Sequence, residues 1–190
     1  MTGIGEEIGQ VLFPADAIQA RVRELGQAIS ADYAGKDLLL VSILRGGIFF
    51  LVDLARAIHI PVAIDVMAIS SYGPAAEKQG VVRILKDLEE PAAGRDVLVV
   101  EDVIDTGLTL SSLLRYLAPR EPASLKVCVL LDKPAHRIAS LPIAYRGFEC
   151  PDVFLVGYGL DYRQHYRNLP YVAAFKTDSR QNRPGSGAGP

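Results

Sequence analysis

The sequence predicts an α/β fold: a doubly wound, mainly parallel sheet flanked by helices, with a small hood lobe formed from the chain ends. Three observations carry that expectation. The runs DLLLVSIL (Asp37 to Leu44), RDVLVVEDV (Arg95 to Val103) and SLKVCVLLD (Ser124 to Asp132) are apolar along most of their length rather than alternating, as strands covered on both faces must be. Helical patterns separate them. Two of the runs pass through small-residue turns, Arg45-Gly46-Gly47 and Thr106-Gly107-Leu108-Thr109, straight into a helix, which is how a strand-helix-strand unit begins.

Taken in order, Pro14 opens a segment whose Ile18, Val22, Leu25 and Ile29 fall at helical spacing, and proline is tolerated in a first turn because its missing N–H would be unpaired there. The first strand, Asp37 to Leu44, leads through the glycines into a helix reaching Ile58. Pro61 to Ile69 is the next strand, SSYGPAAEKQG a loop rich in turn formers, and Val81 to Leu88 a further strand. Arg95 to Val103 precedes a helix with Leu110, Leu113, Leu114 and Leu117 on one face. Ser124 to Asp132 is a fourth apolar strand and Asp152 to Tyr158 a fifth, with a proline-bearing irregular region between them. At 190 residues the chain suits one domain, expected over 1–178, and SRQNRPGSGAGP at 179–190 has no core-forming side chains and reads as a disordered tail.

Composition narrows the function. A net charge of -2 supplies no basic field to draw the chain onto nucleic acid or an anionic membrane, so any anion must be held by local groups. Cys128 and Cys150 have no CxxC spacing and are read as buried inert thiols. His59, His136 and His165 show no metal or triad spacing and are read as structural or solvated. The longest apolar run, Gly46 to Val52, is far too short for a membrane span, and the acidic pair near the N-terminus does not suit a signal peptide, so a cytoplasmic protein is expected.

The most informative segment is Val99 to Leu110, VVEDVIDTGLTL, which puts three carboxylates, a small-residue turn and a helix start directly after an apolar strand. Ligands of open α/β sheets bind outside the carboxyl ends of the strands. Asp105 to Thr109 offers helix-start amides, two hydroxyls and Gly107, where a ligand can approach the main chain, which is the chemistry of a phosphate cradle. Glu101 and Asp102 suit sugar hydroxyls or a divalent cation beside a phosphorylated sugar. Singly, Asp105 or Thr109 is equally a helix cap and Asp102 a solvated strand end.

The whole string resembles the phosphoribosyl pyrophosphate signature of type I phosphoribosyltransferases, in its hypoxanthine-guanine branch: Glu-Asp, two apolar residues, Asp-Thr-Gly, one variable position, Thr. The resemblance implies that Glu101 and Asp102 bind the ribose hydroxyls, that Asp105, Thr106, Gly107, Leu108 and Thr109 hold the 5′-phosphate, and that Asp105 is the catalytic proton acceptor near purine N7. It implies Mg2+ as cofactor, with Glu101, Asp102 and Asp161 as the candidate metal residues. Leu44, Arg45 and Gly46 become the pyrophosphate loop, often carrying a non-proline cis peptide in similar enzymes, with Arg167 a further pyrophosphate contact. By itself the Arg45-Gly46-Gly47 turn is an ordinary strand-helix turn with a surface arginine.

A second match, Pro151 to Val172, resembles the base and metal segment of the same family. It implies that Phe154 stacks on the purine, that the Leu155 backbone reads the base edge, and that Asp161 lies at the base and metal site. Lys133 would contact the oxygen at C6, because an ammonium donates and cannot accept and so disfavours a 6-amino group. Ser71 and Tyr72 would belong to a lid that excludes water. Without the resemblance, Lys133 is a solvated strand-end lysine, Phe154 core, and Asp161 with Arg167 a surface ion pair. The expected reaction is phosphoribosyl transfer to a 6-oxopurine, hypoxanthine and with it guanine, by a protein that assembles as a homo-oligomer, dimer or tetramer. A sibling using xanthine, adenine or a pyrimidine stays open. So does a phosphoribosyl pyrophosphate-sensing regulator that binds nucleic acid, although no basic surface or helix-turn-helix is visible.

Overall fold

A computed structural model describes residues 7–71 and 82–176. Tyr72 and the rest of the expected lid through residue 81, and the tail at 179–190, lie outside the described residues; Ser71 is the last residue of a strand.

The chain begins with a strand that sequence periodicity did not reveal, β1 (Ile8–Phe13). Pro14 then stands in extended conformation immediately before α1 (Ala15–Asp32), its carbonyl accepting from Ile18 N–H, and Ile18, Val22, Leu25 and Ile29 form the buried stripe expected of them. β2 (Leu38–Ile43), α2 (Ile48–Ala57) and β3 (Val62–Ser71) follow, and β4 (Val82–Lys86) returns antiparallel to β3. β5 (Asp96–Ile104) feeds α3 (Leu108–Leu117), and β6 (Ser124–Asp132) ends at Lys133 and a single turn of 3-10 helix, Pro134–His136. β7 (Ile143–Glu149), β8 (Leu155–Val156) and β9 (Val172–Phe175) complete the described chain.

Six strands form the main sheet in the order β4-β3-β2-β5-β6-β7, parallel except at β4. Its layers follow from period-two burial. Leu38, Leu40, Leu98, Val100, Cys128 and Leu130 face α1 and α2, while Leu39, Val41, Val97, Val99, Val127 and Val129 face α3. Both faces are covered, which is why these strands are apolar along most of their length.

One expectation needs correction. The fifth parallel strand is β7, not Asp152 to Tyr158: only Leu155 and Val156 of that segment are strand, and they belong to a separate three-stranded antiparallel sheet, β1-β9-β8. That sheet is the hood, made from the two ends of the described chain. Its Leu155, Tyr158 and Val172 join the α1 and α2 side of the core, so the hood shares the main core.

The strand order fixes the site. From the centre the chain moves outward through β2, β3 and β4 on one side, then restarts at β5 and moves outward through β6 and β7 on the other. β2 and β5 are therefore adjacent where the order reverses. Loops leaving their carboxyl ends diverge there and open a crevice, the place where open α/β sheets take ligands. Those loops are Leu44 to Gly47 and Asp105 to Gly107.

Candidate active site

β5 runs through the acidic pair to Ile104, past the expected boundary at Val103, so Glu101 and Asp102 lie within the strand and point to opposite sides of it. Glu101 lines a small hollow with Ile43, Asp105, Thr106, Gly107 and Thr109. Asp102 lines a larger cleft of about 400 Å³ with Arg45, Gly46, Asp105, Lys133, Phe154, Leu155, Asp161 and Arg167. That volume suits a small-molecule ligand. The two hollows meet at Val103 and Asp105.

Gly107 is the N-cap of α3 with φ of 77°, a left-handed conformation that a side chain resists. It turns the chain so that the first amides of α3 face the hollow, the arrangement that favours an anion. Leu108 N–H makes a long bond to Thr106 Oγ1, at 3.4 Å. The turn is gripped from the far side by the segment after β6. Arg137 donates from Nε to the Asp105 carbonyl at 3.1 Å, and Ile138 and Ala139 N–H both donate to the Thr106 carbonyl. Arg137 is itself held by the buried Asp132 carboxylate, which also accepts from Arg146 Nε at 2.7 Å. Sequence reading did not single out Arg137, because nothing in its spacing shows that it reaches back to β5.

The acidic pair is electrostatically loaded. Burial pushes the Glu101 carboxyl well above the usual carboxylate range, the Asp102 charge adds to this, and an Ile43 backbone N–H opposes it; Oε1 of Glu101 has no hydrogen-bond partner. Burial likewise raises Asp102 to about 6, against hydrogen bonds from backbone N–H groups and the charge of Arg167, with Asp161 reinforcing the rise. A ligand that brings cationic charge or hydroxyl donors would relieve both.

The Leu44–Arg45 peptide is cis. Arg45 Nη1 donates to Gln164 Oε1 at 2.9 Å, and Arg167 Nη2 reaches the same oxygen at 3.2 Å, so the two arginines expected at pyrophosphate already converge on one oxygen. Arg167 also donates to the Gly159 carbonyl and pairs with Asp161 at 2.6 Å. Asp161 and Arg167 are thus an ion pair, but a partly buried one inside the cleft rather than on the open surface. Gln164 was not foreseen, and no sequence signal marks it.

Opposite the phosphate turn stands a wall of different chemistry. Lys133 is only 8% exposed, which excludes a solvated strand-end lysine. Its ammonium donates to the Val153 carbonyl at 2.8 Å, leaving further N–H donors for the cleft. Phe154, by contrast, is 47% exposed and is not core. The edges of Tyr162 and Phe175 hold its ring from 5.9 and 6.0 Å. An exposed aromatic ring beside a buried ammonium is suited to a flat, polar heterocycle.

His136 is half exposed, and both of its ring nitrogens face carboxylates. Nδ1 lies 3.2 Å from Asp105 Oδ1 and Nε2 lies 3.0 Å from Asp152 Oδ2. Its distance from Asp105 in sequence hid this contact.

For a cation, the test is the donor set. Glu101, Asp102 and Asp161 do not converge as one cage, and among the described residues no group of three or more His, Cys, Asp or Glu side chains could hold a metal. Raised Asp102 and the unpartnered Oε1 of Glu101 nevertheless fit Mg2+ bound as this ion usually is, by one or two carboxylates together with substrate phosphates.

Comparison with known proteins agrees with this geometry. Residues 12–163 match the phosphoribosyl transferase domain family. The chain is 54% identical over 172 residues to the hypoxanthine-guanine phosphoribosyltransferase of Mycobacterium avium, covering 87% of this chain and 85% of that protein. It is 48% identical over 165 residues to the hypoxanthine phosphoribosyltransferase of Salmonella typhimurium, covering 86% and 93%. A crystal structure of a hypoxanthine phosphoribosyltransferase from Staphylococcus aureus superposes with a TM-score of 0.88 at 42% identity, covering 93% of this chain and 96% of that one.

Proposed function

This chain belongs to the phosphoribosyltransferase family, and from that premise we propose that it serves purine salvage, transferring the 5-phosphoribosyl group of phosphoribosyl pyrophosphate to N9 of hypoxanthine or guanine. The products are IMP or GMP and pyrophosphate. One observation supports the choice of substrates: the hollow lined by a phosphate-type turn, Asp105 to Thr109, meets at Val103 and Asp105 the cleft lined by Lys133 and Phe154, at the point where the strand order reverses.

In this reading the amides and hydroxyls of Asp105 to Thr109 hold the 5′-phosphate, and Glu101 and Asp102 accept from the ribose hydroxyls. Leu44, Arg45, Gly46 and Arg167 hold the pyrophosphate, the arginines replacing their shared bond to Gln164 with bonds to phosphate oxygens. Phe154 stacks on the purine, the Leu155 backbone meets its edge, and Lys133 donates to O6. The bond from N9 to C1 of the sugar forms as the bond from C1 to the pyrophosphate oxygen breaks, with inversion through an oxocarbenium-like state. Asp105 takes the proton that the base gives up at N7. Mg2+, when bound through Asp102, Glu101 or Asp161, supplies charge neutralisation for the pyrophosphate. The side chains that carry the chemistry remain those of the chain itself.

A dimer or tetramer is the expected assembly, and sedimentation at micromolar concentration checks it. The cytoplasm is the expected compartment; among the described residues no helix is long and apolar enough to cross a membrane.

The deciding experiment supplies phosphoribosyl pyrophosphate and Mg2+ with hypoxanthine, guanine, xanthine or adenine in turn, and measures pyrophosphate and nucleotide formed. Turnover with hypoxanthine and guanine is expected, with adenine inert. Failure to form nucleotide with any of the four would overturn the reading.

A further inference from the structure

The segment after β6 holds the Asp105 loop in two separate ways. Arg137, Ile138 and Ala139 fix its main chain through the carbonyls of Asp105 and Thr106. None of these bonds orients the Asp105 carboxylate. Among the described residues, the hydrogen-bond or ion-pair partner of that carboxylate is His136, Nδ1 to Oδ1 at 3.2 Å. The other ring nitrogen of His136 faces Asp152 Oδ2 at 3.0 Å. Asp152 lies one residue before Val153, whose carbonyl holds Lys133, and two before Phe154. The imidazole therefore links the expected proton acceptor on one side of the cleft to the base wall on the other.

Stability does not account for this arrangement. The side chains of Asp105, His136 and Asp152 are 50%, 47% and 48% exposed, and ion pairs so open to water add little to folding. The other charged groups on the same turn are engaged elsewhere: Lys133 with Val153, and Arg137 with Asp132 and two carbonyls of the β5 loop. His136 is the last residue of the single 3-10 turn that Pro134 opens directly after Lys133. A ring with hydrogen on Nδ1 donates to Asp105, and a ring with both hydrogens donates to both carboxylates at once.

We propose that His136 is a positioning residue for the transfer step: through Nδ1 it aims the Asp105 carboxylate at N7 of the bound purine, and Asp152 anchors the imidazole through Nε2. This rests on the reading of Asp105 as proton acceptor. Its consequence is specific. Substrate binding relies on main-chain groups of the Asp105 loop that His136 does not touch, so loss of His136 slows turnover and leaves phosphoribosyl pyrophosphate binding in place.

The test compares steady-state kinetics of full-length His136→Ala, His136→Asn, Asp152→Asn and the double variant His136→Ala/Asp152→Asn, with hypoxanthine as acceptor and thermal melting as the control for folding. Misplacing a catalytic group by about an ångström costs on the order of a hundredfold, so a fall in kcat of roughly tenfold to a hundredfold is expected for His136→Ala. KM for phosphoribosyl pyrophosphate should stay within about twofold. His136→Asn places an amide donor where Nδ1 stood and should recover most of the rate. Asp152→Asn should fall between, and the double variant should be no slower than His136→Ala, because the anchor has nothing left to hold.

Wild-type kcat in His136→Ala overturns the proposal. So does an Asn variant as slow as the Ala variant, or a double variant as slow as the two single effects multiplied. Should His136→Ala melt far below the wild type, the Asn and Asp152→Asn variants decide by the same criteria. Asp105→Asn, run alongside, separates the two levels. Normal turnover there removes the premise, whereas a slow Asp105→Asn beside a normal His136→Ala removes only the role of His136.

Discussion

Gly46 passes so close to Asp102 that a Cβ built on the glycine would overlap Oδ2 of the aspartate, with the Gly159 carbonyl 3.5 Å away on its other side. The Leu44 to Gly47 loop and the Asp102 carboxylate thus occupy one space, available only because residue 46 has no side chain. Gly46→Ala is expected to displace Asp102 and raise KM for phosphoribosyl pyrophosphate by roughly tenfold or more. The overpacking should lower stability by only about 1–3 kcal/mol. Kinetics and melting on the same preparation check both halves.

Asp105 carries the proton transfer in the proposed mechanism, while its main chain belongs to the phosphate cradle. Asp105→Asn keeps the main chain and removes the acceptor. A fall in kcat of about 10²–10⁴ is expected, with KM for phosphoribosyl pyrophosphate little changed. Single-turnover formation of IMP measures it, and unchanged turnover would refute the role.

In the proposed mechanism Lys133 reads the 6-position with donors alone. Lys133→Gln offers both a donor and an acceptor to that position, so the advantage of 6-oxo over 6-amino bases should shrink. A charged hydrogen bond is worth about 1.5–3 kcal/mol, which makes the expected loss in kcat/KM for hypoxanthine roughly tenfold to a hundredfold. Competition between hypoxanthine and adenine in one assay gives the ratio directly.

Asp102 predicts a dependence of stability on pH. Its folded carboxyl titrates near 6, above the ordinary 3.8, so between those values the folded state binds the proton more tightly than the unfolded chain. The associated stability is fully present below about 3.8 and is lost as pH rises through about 6. Asp102→Asn removes the charge whose burial causes this loss. It should melt above the wild type at pH 7.5 and converge on it by pH 4, while losing activity, a pattern read from melting curves across that range.

How much of this was legible in the sequence depended on the range of the interactions. The β5 turn, α1 and the three- and four-residue spacing of its stripe are local, and they were readable because neighbours in sequence are neighbours in space. β7 was not readable. Ile-Ala-Tyr-Arg-Gly-Phe-Glu mixes charge with a glycine, and Gly147 is tolerated there because it packs directly onto the Leu130 backbone of β6, a contact that periodicity cannot express. The mostly apolar run Asp152 to Tyr158 predicts a long core strand, yet only Leu155 and Val156 are strand and Phe154 is exposed, lining the cleft. Within the site, the turn residues were found as a contiguous string. Gln164 and His136 act across gaps of 119 and 31 residues, to Arg45 and Asp105, and left no pattern.

The hood imposes an order of events on the newborn polypeptide. β1 has one strand partner, β9, and β8, which extends the wall beginning at Phe154, is also paired only with β9. Tyr166 and Lys176 fasten the same corner to Glu7. Among the described residues β1 therefore has no strand partner until β9 has been made. The six strands of the central sheet end at Glu149, although Leu155, Tyr158 and Val172 of the hood pack into its core. A chain ended short of β9 would lack the strand that pairs both β1 and β8 and the Phe175 ring beside Phe154, so the proposed base wall depends on the last described strand.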